Sequence, residues 1–443
     1  MARYVKLLTG PDGTGRWGAP ATDLGYPALT LHGYTITIFG DTFSDHVSGN
    51  GWRSPTGFRQ SNPDIENGIR WDNAIGGAYA KQMIDYTHCG TKYDGCLPDG
   101  FTNIPNDLIH LPDGRYIMTT FAVRSWANVT AGQSWATFHS RMWTSTETHA
   151  ENWVRTWDVE ANHENFDFPN AGEWSHFQNN TMIMFPGEPW VYIYGTNEGR
   201  WVNGGIHLMR VDWHTMWNRS TYQFWGQDAS GVWAWRTNGP TTPILTPSLP
   251  SSAIGEISAQ VIDGRVVLSY VDGALGAVTR TSPRPEGLWT LPSVHVTQLQ
   301  QPALYAPAIH PYSHLGRAQM LLSKWPTDPE YGVVQWEVNP SAVIGLNALR
   351  SGATTRAAVD DMPAQEIPAD QEYVGRLSPD LSKLSPDEQV AVLADVADPD
   401  VDRDYLREAI ITNTVADDRP NPTQRFKDWN PDTEPEPVGT ADR

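Results

Sequence analysis

The sequence predicts an all-β protein: a five-bladed β-propeller followed by a linker and a short α-helical C-terminal tail. Three observations carry that prediction. One strand-turn phrase, an aromatic-aliphatic run beside a tight turn, recurs five times at spacings of roughly 50–80 residues. Helical periodicity is nearly absent before residue 340. Gly and Pro number 38 and 34, as suits a chain that turns often. A β-sandwich would also be all-β, but it offers no reason for five copies of one phrase.

The five copies follow in order: "HGYTITIFGDTF" (32–43), "DGRYIMTTFAVR" (113–124), "GEPWVYIYGTNEG" (187–199), "DGRVVLSYVDGALG" (263–276) and "GRAQMLLSKWPTD" (316–328). In the first, Thr35, Thr37 and Phe39 alternate with Ile36 and Ile38, the pattern of a half-buried strand. Polar turns closed by a Trp, "TSTETHAENW" and "TSPRPEGLW", stand beside them. The propeller domain is assigned to residues 1–345. After "VQWEVNP" the composition shifts. Residues 346–380 read as linker, and 381–443 as an acidic helical and extended tail. Residues 351–443 hold 21 acidic and 9 basic side chains. "LSPDEQVAVLADVADP" opens with Ser385 as N-cap, Pro386 in the first turn and Glu388 completing a capping box. A tail this small folds poorly alone, so its expected role is docking onto a partner or a neighbouring copy.

The formal charge of −20 argues against a nucleic-acid partner, which would need a basic face. No apolar run has transmembrane length or the shape of a signal peptide, so no membrane insertion is expected; the chain would be cytosolic or released by lysis as part of a particle. Twenty Trp and sixteen Tyr suit β-structure and also carbohydrate, because an aromatic face stacks on the apolar face of a sugar. Most of these rings are expected in the core. Cys89 and Cys96 are close enough for a loop-stapling disulfide, with free thiols as the alternative. A structural zinc would need a second ligand pair, which is absent, and no ligand cluster argues for any other metal or cofactor.

A propeller gathers polar strand ends at the mouth of its channel. Two acids bracket the first strand: Asp23 before it and Asp41 after it, next to Gly40. An Asp after Gly at a strand end is commonly a turn residue. Two carboxyls brought together would instead serve glycoside hydrolysis, which needs one acid to protonate the leaving oxygen and a second group to attack or to activate water. Further candidates for the pocket are Arg53, Ser54, His176, Gln178, Asn179, Glu256, Tyr305, His310 and Trp325. Glu256 stands out, since it lies in an otherwise small and apolar run.

At these residues the sequence resembles the endo-D-arabinanase glycoside hydrolases of mycobacteria and their relatives, a family also present in minor tail proteins of actinobacterial phages. The resemblance rests on "ATDLG", "FGDTF", "GWRSPTGF", "AKQMI", "YIYGTNEGR", "GGIHLMRV", "IGEIS" and "IHPYSHLG" through "LLSKWPTDPEYGVVQWEV", in that order over roughly residues 15–340. It implies a five-bladed propeller, catalytic roles for Asp23 and Asp41, and hydrolysis of the D-arabinofuranose polymer of arabinogalactan and lipoarabinomannan. The inserts "CGTKYDGCLPDGFTN" and "VEANHENFDFPNAGEW" depart from it. With the acidic tail and no signal peptide, the expectation is a virion protein at the tail tip, present in several copies and joined to other tail-tip proteins through residues 381–443. A non-catalytic, arabinan-binding propeller is the rival reading, and a purely structural tail-tip spacer a weaker one.

Overall fold

The computed structural model describes residues 2–340, apart from 48, 89–98, 126–134, 201, 203, 249–251, 274, 288 and 326–330. Cys89, Cys96, the linker and the C-terminal tail therefore lie outside the described residues. Five antiparallel sheets stand around a central channel, as the five phrases predict. The chain begins with β1 (Arg3–Leu7) and then builds the first blade from β2 (Ala21–Leu29), β3 (Thr35–Phe43), β4 (Thr56–Gln60) and β5 (Asn73–Ala74). The second blade holds β6 (Asn103–His110), β7 (Tyr116–Ser125), β8 (Ala136–Ser145), β9 (Val154–Arg155) and β10 (Asp167–Pro169). The third is β11 (Asn179–Met184), β12 (Trp190–Thr196), β13 (His207–Asp212), β14 (Gln223–Gln227) and β15 (Trp233–Arg236). The fourth is β16 (Ile254–Ile262), β17 (Arg265–Asp272), β18 (Gly276–Ser282) and β19 (Ser293–Val296). The last holds β20 (Leu304–Ile309), β21 (Ala318–Lys324) and β22 (Gly332–Val338), and β1 completes it as its outer strand.

Each recurring phrase turns out to contain the second strand of a blade: β3, β7, β12, β17 and β21. That position explains the shared pattern. A second strand is hydrogen-bonded on both edges and packed against blades on both faces, so it is buried along nearly its whole length, and even the polar Thr35 and Thr37 of β3 are covered. The innermost strands β2, β6, β11, β16 and β20 form a closed ring in which each touches the next. There is no single core. Instead, among the described residues, five apolar clusters fill the spaces between neighbouring blades, such as Ile117 and Met142 of the second blade with Met209 and Phe224 of the third. Pairing of β1 with β22 closes the ring non-covalently, with Arg3 opposite Glu337 and Leu7 opposite Val334. This closure joins the two ends of the described chain and leaves each blade covered by its neighbours.

Candidate active site

All five innermost strands run in the same direction, so their N-terminal ends meet at one mouth of the channel. Four of them break register there. Shifts fall between Thr22 and Tyr26 on β2, Pro105 and Asp107 on β6, Ile254 and Ile257 on β16, and Tyr305 and Ala308 on β20. Such bulges turn side chains that would otherwise alternate into a blade toward the axis. On β2 the bulge places Leu24 at φ 66°, an unfavourable conformation for a branched residue and one that recurs at functional sites.

The result is a pocket of roughly 580 Å³ lined by Asp23, Asp41, Glu256, Arg200, Trp135 and Trp325, with Tyr26, Asn179 and Tyr331 among the rest of the wall. Asp23 and Asp41 lie within β2 and β3, not before and after a strand as expected from sequence. The two strands are neighbours, with Thr22 opposite Thr42. A buried chain of hydroxyls, Thr22 to Thr42 at 2.6 Å and Thr42 to Thr56 at 2.9 Å, locks the strand positions beside both acids. Asp41 is thus not a turn residue.

Gly40 has a specific reason to lack a side chain. A Cβ there would fall 2.5 Å from Asp23 Oδ1 and 2.9 Å from Leu24 Cδ1. The bare backbone lets the Asp23 carboxyl lie against β3.

The carboxyls are buried, at 8%, 5% and 5% exposure for Asp23, Asp41 and Glu256, yet each is held differently. Asp23 Oδ2 accepts a 2.8 Å bond from the Tyr305 hydroxyl, and Tyr331 bonds the same group. Burial raises this carboxyl from 3.8 to about 6, against the pull of the two tyrosines and of Arg200. Asp41 Oδ1 accepts from Trp52 Nε1 at 2.7 Å and Thr102 Oγ1 at 3.0 Å. Burial, then the nearby Asp23 charge, lifts Asp41 to about 7. Glu256 Oε1 accepts from Arg200 Nε at 2.7 Å. The Arg200 guanidinium lies over the Tyr305 ring at 4.2 Å and the Trp135 ring at 5.2 Å, so its plane is fixed by cation–π contacts as well as by the ion pair. Asp23 Oδ1 and Glu256 Oε2 are buried without a hydrogen-bond partner. An unsatisfied buried carboxylate oxygen is costly, and a ligand group or water in the pocket would satisfy it.

Several residues expected at the site stand elsewhere. Arg53 donates to the carbonyls of Ala80 and Gly51 at 2.6 Å, bonds Gly18 O, and stacks on Tyr79; it ties surface loops together. Ser54 donates to Asn103 O at 2.8 Å and joins the first two blades. Gln178 is fully buried, bonded to Thr137 Oγ1 at 2.9 Å and Phe168 O at 3.1 Å, as a strut between the second and third blades. His310 lies at the far end of β20, buried and pushed down to about 3, with Tyr312 N donating to its Nδ1 at 3.2 Å. His176 stacks on His207 at 4.0 Å, outside the pocket lining. The charged and polar ends of strands do converge, but only those on the right side of a bulge reach the pocket. Of the pocket residues, sequence reasoning missed Arg200, Trp135, Tyr26, Asn180 and Tyr331. Arg200 follows directly on "YIYGTNEG", the third strand phrase, and an arginine just past a second strand's end was the available signal. Among the described residues no group of three or more His, Cys, Asp and Glu is placed to hold a metal ion, and no helix is long and apolar enough to cross a membrane.

Notoamide biosynthesis cluster protein J' of Aspergillus versicolor is 29% identical over 330 residues, which cover 70% of this chain and 82% of that protein. Among solved structures, a protein of Bacteroides ovatus ATCC 8483 superposes with a TM-score of 0.49 at 13% identity, covering 79% of this chain and 90% of its own. Zg3597, a family 117 glycoside hydrolase of Zobellia galactanivorans, gives 0.43 at 12% identity, with 76% and 90% covered. A family model matches residues 9–337, from the turn before β2 to the last strand, and the chain belongs to the family described as Domain of unknown function (DUF4185).

Proposed function

We infer that this protein is a glycoside hydrolase that cleaves D-arabinofuranosyl linkages within cell-wall arabinan, carried at the tail tip of a phage virion. One observation carries the hydrolase reading: Asp23 and Asp41 meet in one buried pocket with their carboxyls pushed to about 6 and about 7. Two neighbouring acids, one ionising near pH 6 and the other near pH 7, suit acid–base cleavage of a glycosidic bond. A pure binding module gains nothing from burying them side by side.

The roles follow from their surroundings. Asp41 has the higher value and holds its proton near neutral pH, so it protonates the leaving oxygen. Asp23 ionises first, and the Tyr305 and Tyr331 hydroxyls stabilise its charge. Its carboxylate either attacks the anomeric carbon or takes a proton from the attacking water. Water supplies the hydroxyl to one fragment and the proton that restores Asp41. Glu256, held by Arg200, sets negative charge beside the positive charge that builds on the sugar ring in the transition state. Trp135 and Trp325 supply rings for the apolar faces of the substrate. The arabinan substrate, the virion location, the several copies and the joining to other tail-tip proteins through residues 381–443 rest on the resemblance of the motifs and on the composition of the tail.

Purified protein incubated with mycobacterial arabinogalactan should release oligo-arabinosides, and Asp41→Asn should reduce release by about a thousandfold or more. Polysaccharide retained in a pull-down but never shortened would sink the hydrolase reading in favour of a receptor-binding propeller. Equal release by the variant would remove Asp41 from the chemistry.

A further inference from the structure

The far end of the channel carries a second concavity, of about 1270 Å³. Its wall is mostly apolar: Leu29, Leu31, Leu108, Met182, Phe185 and Val261 stand at the C-terminal ends of the inner strands or just past them, with His110, Glu188 and Gln260 as the charged and polar members. Two of these leucines, Leu29 and Leu31, are 51% and 63% exposed, a large apolar area to leave on the wall of a concavity. The described linings of this bowl and of the candidate active site share no residue. Between them Asp107 Oδ2 accepts from Thr181 Oγ1 at 2.6 Å and Met182 N at 2.7 Å, and Gln260 Nε2 donates to Pro27 O at 2.8 Å. These bonds tie inner strands of the second to third and fourth to first blades across the channel.

The end of the described chain is on the same face. β22 runs toward it and closes with Val338 opposite Ala318, while Ile309, opposite Met320, leads directly into Pro311 on the wall of the bowl. Val338 therefore sits two strand spacings, about 10 Å, from the end of β20. The next ten residues are "SAVIGLNALR" (341–350), with Val343, Ile344, Leu346 and Leu349. Extended, they would reach about 33 Å, enough to cross the bowl. A tether this short holds the segment at a local concentration on the order of millimolar or higher, so even a weak apolar contact forms.

We propose that residues 341–350 of the same chain occupy this bowl and cap the closed end of the propeller. The cap covers Leu29 and Leu31, and it starts the rest of the chain from the face opposite the substrate mouth. That arrangement lets residues 351–443 engage a neighbour without obstructing the pocket.

The test uses the full-length protein with a photo-cross-linking amino acid replacing Leu31, whose exposure lets it be changed without disturbing the core. A control probe replaces Leu299, 59% exposed after β19 at the mouth end of the propeller. The expected product has the mass of one chain and joins the residue-31 peptide to residues 341–350. The Leu299 probe should give no such product. Leu346→Asp with Leu349→Asp should cut the yield about tenfold, because both leucines would have to bury a charge. A product with the mass of two chains would assign the bowl to a second copy and overturn the proposal. So would a product with residues 385–412, no product at all, or a yield unchanged by the double variant.

Discussion

Asp41→Asn should stabilise the fold while it abolishes catalysis, and the gain should depend on pH in a defined way. Burial and the neighbouring Asp23 raise the Asp41 carboxyl from 3.8 to about 7 in the folded protein. In the unfolded chain it ionises near its ordinary value. The folded state thus binds this proton more tightly, so the group favours folding at low pH, and that contribution is lost as pH rises from about 4 to about 7. A change of about three powers of ten in acidity corresponds to ~4 kcal/mol, at roughly 1.4 kcal/mol for each tenfold. Local relaxation and water entry reduce it to about 2–4 kcal/mol. Asparagine cannot ionise, and its side-chain carbonyl can still accept from Trp52 Nε1 and Thr102 Oγ1, the two donors at 2.7 and 3.0 Å. Removing the charge also eases ionisation of Asp23, which adds in the same direction. Thermal unfolding of both proteins at pH 4, 6 and 8 measures the effect. The variant should melt close to the native protein at pH 4 and roughly 3–8 °C above it at pH 8. A difference that does not change with pH, or a variant that melts lower at pH 8, would refute the claim that Asp41 is buried at an energetic cost retained for chemistry.

Gly40→Ala should lower kcat by about a hundredfold or more with the fold intact, because the new Cβ meets Asp23 Oδ1 at 2.5 Å and must displace it; normal kcat with an unchanged melting temperature would show that the carboxyl position is not critical. Arg200→Met should destabilise by about 3–5 kcal/mol by leaving Glu256 buried without its partner, and adding Glu256→Gln should recover most of that loss. Denaturant unfolding of both variants checks this, and a double variant no better than the single would mean the pair is not coupled. The activity profile should be bell-shaped, rising as Asp23 ionises near pH 6 and falling as Asp41 ionises near pH 7. Tyr305→Phe removes a donor to the Asp23 carboxylate, so the acidic limb should move to higher pH; a profile lowered evenly without that movement would assign Tyr305 to packing alone.

Most of the fold was legible because its signals are local. The five strand phrases are the second strands of five blades, and a strand buried on both faces must be apolar and β-branched wherever it occurs. Turn residues and the absence of helical periodicity did the rest. The closing pair of β1 with β22 was not legible, since pairing across more than 300 residues leaves no local trace in either strand. The two acids were singled out because they stand close to one predicted strand and match motifs of a family. Arg53, Ser54, Gln178 and His310 were misplaced for one common reason. Reading polar residues at strand ends cannot tell which end faces the mouth, nor which side of a strand faces the axis.

What the amino-acid sequence determined alone was the blade count, the strand character and the presence of two acids around the first strand, all set by patterns within a few dozen residues. What only the tertiary structure decided was the pocket. Register breaks on four inner strands turn Asp23, Glu256 and Tyr305 toward the axis, and Arg200 arrives from another blade to pair with Glu256. A register break is a relation between two strands, and the desolvation that lifts Asp23 and Asp41 is a property of the closed ring. Neither exists until all five blades have assembled.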